Sequence, residues 1–254
     1  MRRILILGGT TEARRLAERL AGRHDLAVTL SLAGRTAHPV AQPVPVRIGG
    51  FGGAQGLADY LAAERIDALI DATHPYAAII AANAARAAGA AGVPLLGLRR
   101  PPWMAVAGDR WIEVDDVAAA VRALGEAPRR VFLALGRNEI AAFEAAPQHH
   151  YLVRSVDPIE PPLRVQHANY VVGRGPFSQA DDHALLAAHG IETLVAKNSG
   201  GAATYGKIAA ARTLGLDVIM LRRPALPAVP AVETIAEALA WIDHAGVPCA
   251  EREV

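Results

Sequence analysis

The 254-residue chain has little cysteine, little lysine and almost no net charge. Its single cysteine, Cys249, cannot close an internal disulfide, and one thiol suits a reducing compartment. Lys+Arg is 26 and Asp+Glu is 25, a formal net charge of +1, so the broad positive footprint of a nucleic-acid binder is missing. No apolar run reaches the roughly 18 residues of a membrane-spanning helix. The opening Met1-Arg2-Arg3-Ile4-Leu5-Ile6-Leu7 stops at Gly8-Gly9, too early for a secretory signal. These absences lead us to expect a cytoplasmic enzyme whose partner is a small molecule, not a nucleic acid or a membrane. Oligomeric state stays open, a monomer included.

What the chain does have is 52% apolar residues, enough for a packed core. Short apolar runs alternate with Ala-rich helical segments. The strands read as residues 4–7, 27–32, 44–48, 68–70 and 94–98, then 111–114, 131–135, 151–156, 170–172, 193–196 and 218–221. Between and after them lie helices near 12–21, 57–64, 77–88, 116–124, 139–145, 178–188, 204–214 and 232–244. The strands are apolar end to end, not alternating, which is the mark of a parallel sheet buried between helix layers. The pattern breaks at Arg99-Arg100-Pro101-Pro102-Trp103, which cannot continue a helix or a central strand. The expected fold class is therefore α/β, with two Rossmann-like parallel-sheet domains, 1–105 and 106–254, and a cleft between them.

Ligands of open parallel sheets sit outside the carboxyl ends of the strands. Gly8-Gly9-Thr10-Thr11-Glu12 follows the first strand and opens the first helix. Glycines permit a tight turn and let a pyrophosphate approach unpaired N–H groups; the plain alternative is a β-α turn with a Thr cap. The three spaced glycines of the dinucleotide fingerprint are not all present. The second strand ends in Ser31, Leu32, Ala33, Gly34, Arg35 and Thr36, without the acid that would hold the ribose hydroxyls of NAD. A guanidinium among hydroxyls suits a 2′-phosphate, so NADPH/NADP is the expected cofactor, against the alternative of an exposed loop cation at Arg35. A third strand end, Asp71-Ala72-Thr73-His74-Pro75-Tyr76, lies beside the first loop. Pro75 can begin the next helix, and His74 can line the cofactor, shuttle a proton or serve only a structural purpose.

In the second half the strand ends carry Gly136-Arg137-Asn138, Arg154-Ser155, Gly173-Arg174-Gly175-Pro176 and Lys197-Asn198-Ser199-Gly200-Gly201. Of the 26 basic residues only Lys197 and Lys207 are lysine, and they lie ten positions apart. Chance is one account; a task suited to a compact ammonium is the other. Other chemistries find no support. Tyr-x-x-x-Lys is missing, no Gly-x-Ser-x-Gly elbow occurs, and His149-His150 is not a spaced metal set, so no metal is expected.

Gly-Gly-Thr-x-Glu-Ala after the first strand, Ser-x-Ala-Gly-Arg-Thr and Asp-Ala-Thr-His-Pro-Tyr-Ala resemble the precorrin-6A reductases of cobalamin biosynthesis. So do Leu135-Gly136-Arg137, Gly173-Arg174-Gly175-Pro176-Phe177, Val195-Ala196-Lys197-Asn198-Ser199-Gly200-Gly201 and Thr204-Tyr205-Gly206-Lys207-Ile208. The resemblance covers essentially the whole chain. It implies NADPH-dependent reduction of one ring double bond of precorrin-6A, giving precorrin-6B, on a macrocycle rich in carboxylates. Arg137, Arg154, Arg174, Lys197 and Lys207 then become candidate carboxylate holders. Asn198, Ser199, Gly200 and Gly201 form a candidate anion nest, with a plain strand-to-helix loop as the alternative. Lys197, Lys207 or Tyr205 could supply the proton, with His74 as a further candidate. The rival readings are the cobalt-containing version of the same reduction and a non-catalytic NADP-sensing module.

Overall fold

The computed structural model describes residues 1–34 and 40–244. The chain divides into two compact units: Met1–Arg100 together with the segment that begins at Ala225, and Pro101–Pro224.

The first unit runs β1 (Arg2–Leu7), α1 (Thr11–Leu20), β2 (Leu26–Leu32), β3 (Val46–Ile48), α2 (Gly53–Ala63), β4 (Ala68–Asp71), α3 (Ala78–Ala91) and β5 (Leu95–Leu98). Ile4 to Leu7 are buried on both faces of the sheet. Ile4 and Ile6 pack with Ala13, Leu16, Ala17 and Leu20 of α1. Leu5 and Leu7 point the other way, onto Leu57 and Leu61 of α2 and Ala84, Ala87 and Ala88 of α3. The unbroken apolar run is thus the signature of a strand sandwiched between two helix layers. On α1 the buried residues recur three and four apart while Arg14, Arg15, Glu18 and Arg19 face outward.

The second unit contains β6 (Arg110–Val114), α4 (Val117–Ala123), β7 (Arg130–Ala134), the short α5 (Arg137–Ile140) with a 3-10 turn at Ala141–Ala145, β8 (His150–Ser155), β9 (Ala168–Val172), α6 (Gln179–Ala188), β10 (Thr193–Lys197), α7 (Gly206–Leu214) and β11 (Asp217–Leu221). Phe132, Leu152, Leu194, Ala196, Val218 and Met220 from its strands pack with Leu186, Ile208, Ala210 and Ala211 from α6 and α7.

The chain then adds β12 (Ala231–Val232) and α8 (Ile235–His244) to the first unit. β12 pairs in parallel with β5, and Ala238 and Ile242 of α8 join the core around β1. The two-domain α/β class stands; the chain passes from the first compact unit to the second at Arg100/Pro101, and residues 225–244 group with the first. No local pattern marks β12, because two residues carry no periodicity and their pairing is non-local.

Both sheets are wholly parallel. The first has the order β3-β2-β1-β4-β5-β12, the dinucleotide-binding order 3-2-1-4-5-6 with its sixth strand supplied after the second unit. The second reads β9-β8-β7-β10-β11-β6. Counted from β7 this is the same order, its sixth strand coming before β7 in the chain. Each sheet therefore has its reversal of strand order between two central strands, β1/β4 in one and β7/β10 in the other.

Candidate functional site

In the first unit Leu7 pairs with both Ser31 and Asp71, so the three strand ends stand in a row at the switch point. Gly8 donates its N–H to the Ser31 carbonyl at 2.9 Å. A Cβ on Gly8 would lie 2.6 Å from Leu30 Cδ1 and 3.3 Å from Ala13 Cβ, so glycine here allows α1 to close on the sheet. Gly9, at φ 112°, makes the turn, and a Cβ there would meet nothing within 4 Å. Thr10 is the N-cap of α1: its hydroxyl accepts from Ala13 N–H at 3.1 Å and donates to the Ala72 carbonyl at 2.7 Å. Its single proton is thereby spent on the fold and not on a phosphate. Thr11 opens the helix, half-buried. Glu12 forms an ion pair with Arg100 at 2.5 Å.

Asp71 is buried at the end of β4. Its Oδ1 accepts from the Thr73 N–H at 3.1 Å and the Thr73 hydroxyl at 2.6 Å; its Oδ2 takes Arg99 Nη2 at 2.6 Å. Gly97 beside Asp71 has no Cβ, and one would stand 3.1 Å from Arg99 Nε, so the guanidinium lies across its own strand. Arg99 Nη1 is buried with no hydrogen-bond partner among the described residues. His74 Nδ1 accepts from the Tyr76 N–H at 3.3 Å, and the two rings lie 5.6 Å apart. Pro75 is in a turn ahead of α3, which begins at Ala78, and does not open the helix as expected. Of the β2 end, Ser31 is buried while Ala33 and Gly34 are exposed, and no carboxylate stands among them. Arg35 and Thr36 lie outside the described residues. The glycine turn, the strand order and the orphaned Arg99 nitrogen are features a nicotinamide nucleotide would fit.

In the second unit Ala134 pairs with Ala196, which brings Gly136 and Lys197 off neighbouring strand ends. Lys197 Nζ is ion-paired with Glu139, whose other oxygen accepts the Gly136 N–H at 2.8 Å. Arg137 is half exposed, 3.6 Å from Asp157, and Arg174 is exposed.

Arg154 does something other than expected. It shares the inward face of β8 with Leu152, is buried, and pairs with buried Asp182 of α6. Its guanidinium stacks on Phe177 at 3.8 Å. Alternation along β8 puts Arg154 on the face of Leu152, but β8 is buried on both faces and the partner Asp182 lies 28 residues away, so the inward pairing is not a local signal. Asn198 is likewise committed inward. Its Oδ1 accepts from Trp103 N–H at 2.7 Å and its Nδ2 donates to the Trp103 carbonyl at 2.9 Å. Arg223 donates to the carbonyls of Asn198 and Ser199 at 2.9 and 3.1 Å. Trp103 Nε1 donates to the Gly201 carbonyl at 2.8 Å. Gly200 and Gly201 both have positive φ, near 70°. The 197–201 segment is therefore a braced loop.

Lys207 is buried on the second residue of α7, with Nζ donating to the Thr204 carbonyl at 2.6 Å and lying 4.9 Å from the Trp103 ring centre. Tyr205, its neighbour, accepts from Arg212 Nη2 at 2.5 Å and packs on Trp103 at 5.7 Å. Asp109, first, and then Tyr205 hold the Arg212 guanidinium above its ordinary pKa, so it stays a donor. Sequence reasoning missed Arg99, Trp103, Glu139, Asp182 and Arg223. The Arg99-Arg100 pair directly after β5 was the available signal, but the following prolines led it to be assigned to a linker. Among the described residues no group of three or more His, Cys, Asp or Glu is placed to hold a metal, and no helix is long and apolar enough to cross a membrane.

Residues 3–243 match the family model described as precorrin-6x reductase CbiJ/CobK. A precorrin-6A reductase of Sinorhizobium sp is 58% identical over 244 residues, covering 95% of this chain and 93% of that one. A solved structure described as CobK precorrin-6A reductase superposes with a TM-score of 0.93 at 52% identity, covering 97% of this chain and 98% of the other. A cobalt-precorrin-6A reductase of Priestia megaterium is 28% identical over 233 residues, covering 87% of this chain and 90% of that one. The chain belongs to the precorrin-6x reductase CbiJ/CobK family, a family of oxidoreductases.

Proposed function

We propose that this protein reduces precorrin-6A to precorrin-6B with NADPH, in the cytoplasm, as a step of cobalamin biosynthesis. The observation that carries the reading is 58% identity to a named precorrin-6A reductase across 95% of the chain. The 28% identity to a cobalt-precorrin-6A reductase favours the metal-free ring over the cobalt-bearing one.

NADPH supplies the hydride when bound. The first unit is its proposed holder. Gly8 and Gly9 admit the pyrophosphate, Thr10 and Thr11 shape that turn, and Arg99 offers its unpartnered nitrogen. Glu12 holds Arg100, while Thr73, His74, Pro75 and Tyr76 wall the β4 end. Ser31, Ala33, Gly34, Arg35 and Thr36 take the 2′-phosphate end of the nucleotide.

The second unit is the proposed holder of the macrocycle. Arg137, Arg174 and Lys197 take its carboxylates. Ser199, Gly200 and Gly201 complete that rim, with Lys207, Asn198 and Arg154 positioning it from below. Lys207, Lys197, Tyr205 and His74 are the candidate proton donors to test. The protein's main contribution is orientation, because rigid placement converts a bimolecular step into an effectively unimolecular one.

The test is anaerobic mixing of the purified protein with precorrin-6A and NADPH or NADH. Nicotinamide absorbance falls and precorrin-6B accumulates, faster with NADPH. Turnover of cobalt-precorrin-6A in preference to the metal-free ring would replace the substrate. No oxidation with either ring would overturn the reading.

A further inference from the structure

Lys197 and the backbone N–H of Gly136 converge on one carboxylate, and that carboxylate belongs to the protein. Glu139 presents one oxygen to Lys197 Nζ and the other to Gly136 N–H at 2.8 Å. The two donors come from neighbouring strands at the point where strand order reverses in the second sheet. This is where ligands of open parallel sheets sit. Gly136 leaves room for the carboxylate: a Cβ there would lie 2.8 Å from Glu139 Oε2 and 3.8 Å from Lys197 Nζ. The place is reachable, with Lys197 16% and Glu139 26% exposed at their side chains. Gly136, Arg137 and Asn138 beside it are exposed.

We infer that this is a carboxylate subsite for the substrate, kept filled by Glu139 until a carboxylate of the substrate displaces it. The inference rests on the proposed function for the identity of the substrate, though the subsite itself selects only for a carboxylate. A half-buried ammonium without a counter-charge is costly, so an internal carboxylate neutralises it in the resting protein. An acetate or propionate arm brings the same head group as Glu139. Exchange leaves both donors satisfied and returns Glu139 to water. Glu139 therefore competes with the substrate, and its charge sets how tightly the subsite holds it.

The experiment measures binding of precorrin-6A without cofactor, binding of propane-1,2,3-tricarboxylate as a probe, and KM and kcat, for the wild type, Glu139→Gln, Glu139→Ala, Lys197→Gln and the Glu139→Gln/Lys197→Gln double variant. Circular dichroism and melting verify that each is folded. Glu139→Gln and Glu139→Ala should bind macrocycle and probe about tenfold more tightly, the scale of one charge-assisted hydrogen bond, and lower KM. Lys197→Gln should loosen binding about tenfold and abolish the gain from Glu139→Gln. Unchanged or weaker binding in both Glu139 variants overturns the inference and leaves Glu139 a loop brace. A shifted pH profile of kcat with KM unmoved overturns it too, in favour of a proton relay through Lys197. If the wild type fails to oxidise NADPH, the proposed function fails; tricarboxylate binding then still decides the subsite.

Discussion

The Thr10 hydroxyl donates to the Ala72 carbonyl across 2.7 Å, tying the loop after β1 to the loop after β4 at the switch point of the first sheet. The same oxygen caps α1 through Ala13 N–H. One side chain thus sets both the helix start and the spacing of the two loops that would flank a nucleotide. Thr10→Val keeps the shape and removes both bonds. It should lower the stability of the first unit by about 1–2 kcal/mol, the usual size of a lost N-cap with a lost hydrogen bond. Urea unfolding measures this, and NADPH affinity should weaken with it. Thr10→Ser should restore both.

Asp71 and Arg99 form a pair in which the acid is 1% and the guanidinium 16% exposed. Removing one partner strands the other's charge. Asp71→Ala should cost about 3 kcal/mol or more, while Asp71→Ala with Arg99→Met should recover most of it. A denaturant-unfolding cycle over the four proteins gives the coupling directly. Additive losses would mean that the two side chains act independently.

Gly200 has φ 69°, and a Cβ there would run into the Pro101 carbonyl and the Arg223 guanidinium. Both obstacles are themselves bonded, Arg223 Nη2 donating to the Pro101 carbonyl at 3.1 Å. Gly200→Ala should therefore destabilise the second unit by about 2 kcal/mol or more. Macrocycle KM should rise because the 197–201 loop moves. Gly22, whose Cβ would meet nothing within 4 Å, is the control site: Gly22→Ala should leave unfolding nearly unchanged.

How much of this was readable in advance follows from where the information is local. The run Ile4–Leu7 announces a buried parallel strand by itself, and the Gly8-Gly9 turn announces its rim. Arg154 and Asn198 were readable only as polar residues near strand ends. Their inward commitments depend on Asp182 and Trp103, 28 and 95 residues away. Lys207 stood out through lysine scarcity, but its burial against Trp103 depends on a segment read as a linker. The switch point of the second sheet could not be counted at all, because its sixth strand comes before the other five.

His149 and His150, adjacent on the chain, have opposite surroundings, and this makes the second unit sensitive to acid. His149 is fully buried, and its Nδ1 accepts from the Arg129 N–H at 3.2 Å. Burial, above all, pushes its imidazole below the ordinary pKa; the Gly125 carbonyl pulls upward and the Arg129 charge pushes down again. The folded chain therefore binds this proton less readily than the unfolded chain does. The stability His149 confers is complete above the unfolded value of about 6.5 and is lost as pH falls from there toward the lower folded value. Within that window the slope is at most about 1.4 kcal/mol per pH unit for one proton. His150 stacks on His167 at 4.1 Å near the surface and is unchanged in both proteins compared. Unfolding free energies of wild type and His149→Gln, measured from pH 8 to pH 5 (roughly the span over which histidine titrates), should converge as the pH falls. Parallel curves would mean that His149 is protonated equally in the folded and unfolded chains, and that its burial costs the cation nothing.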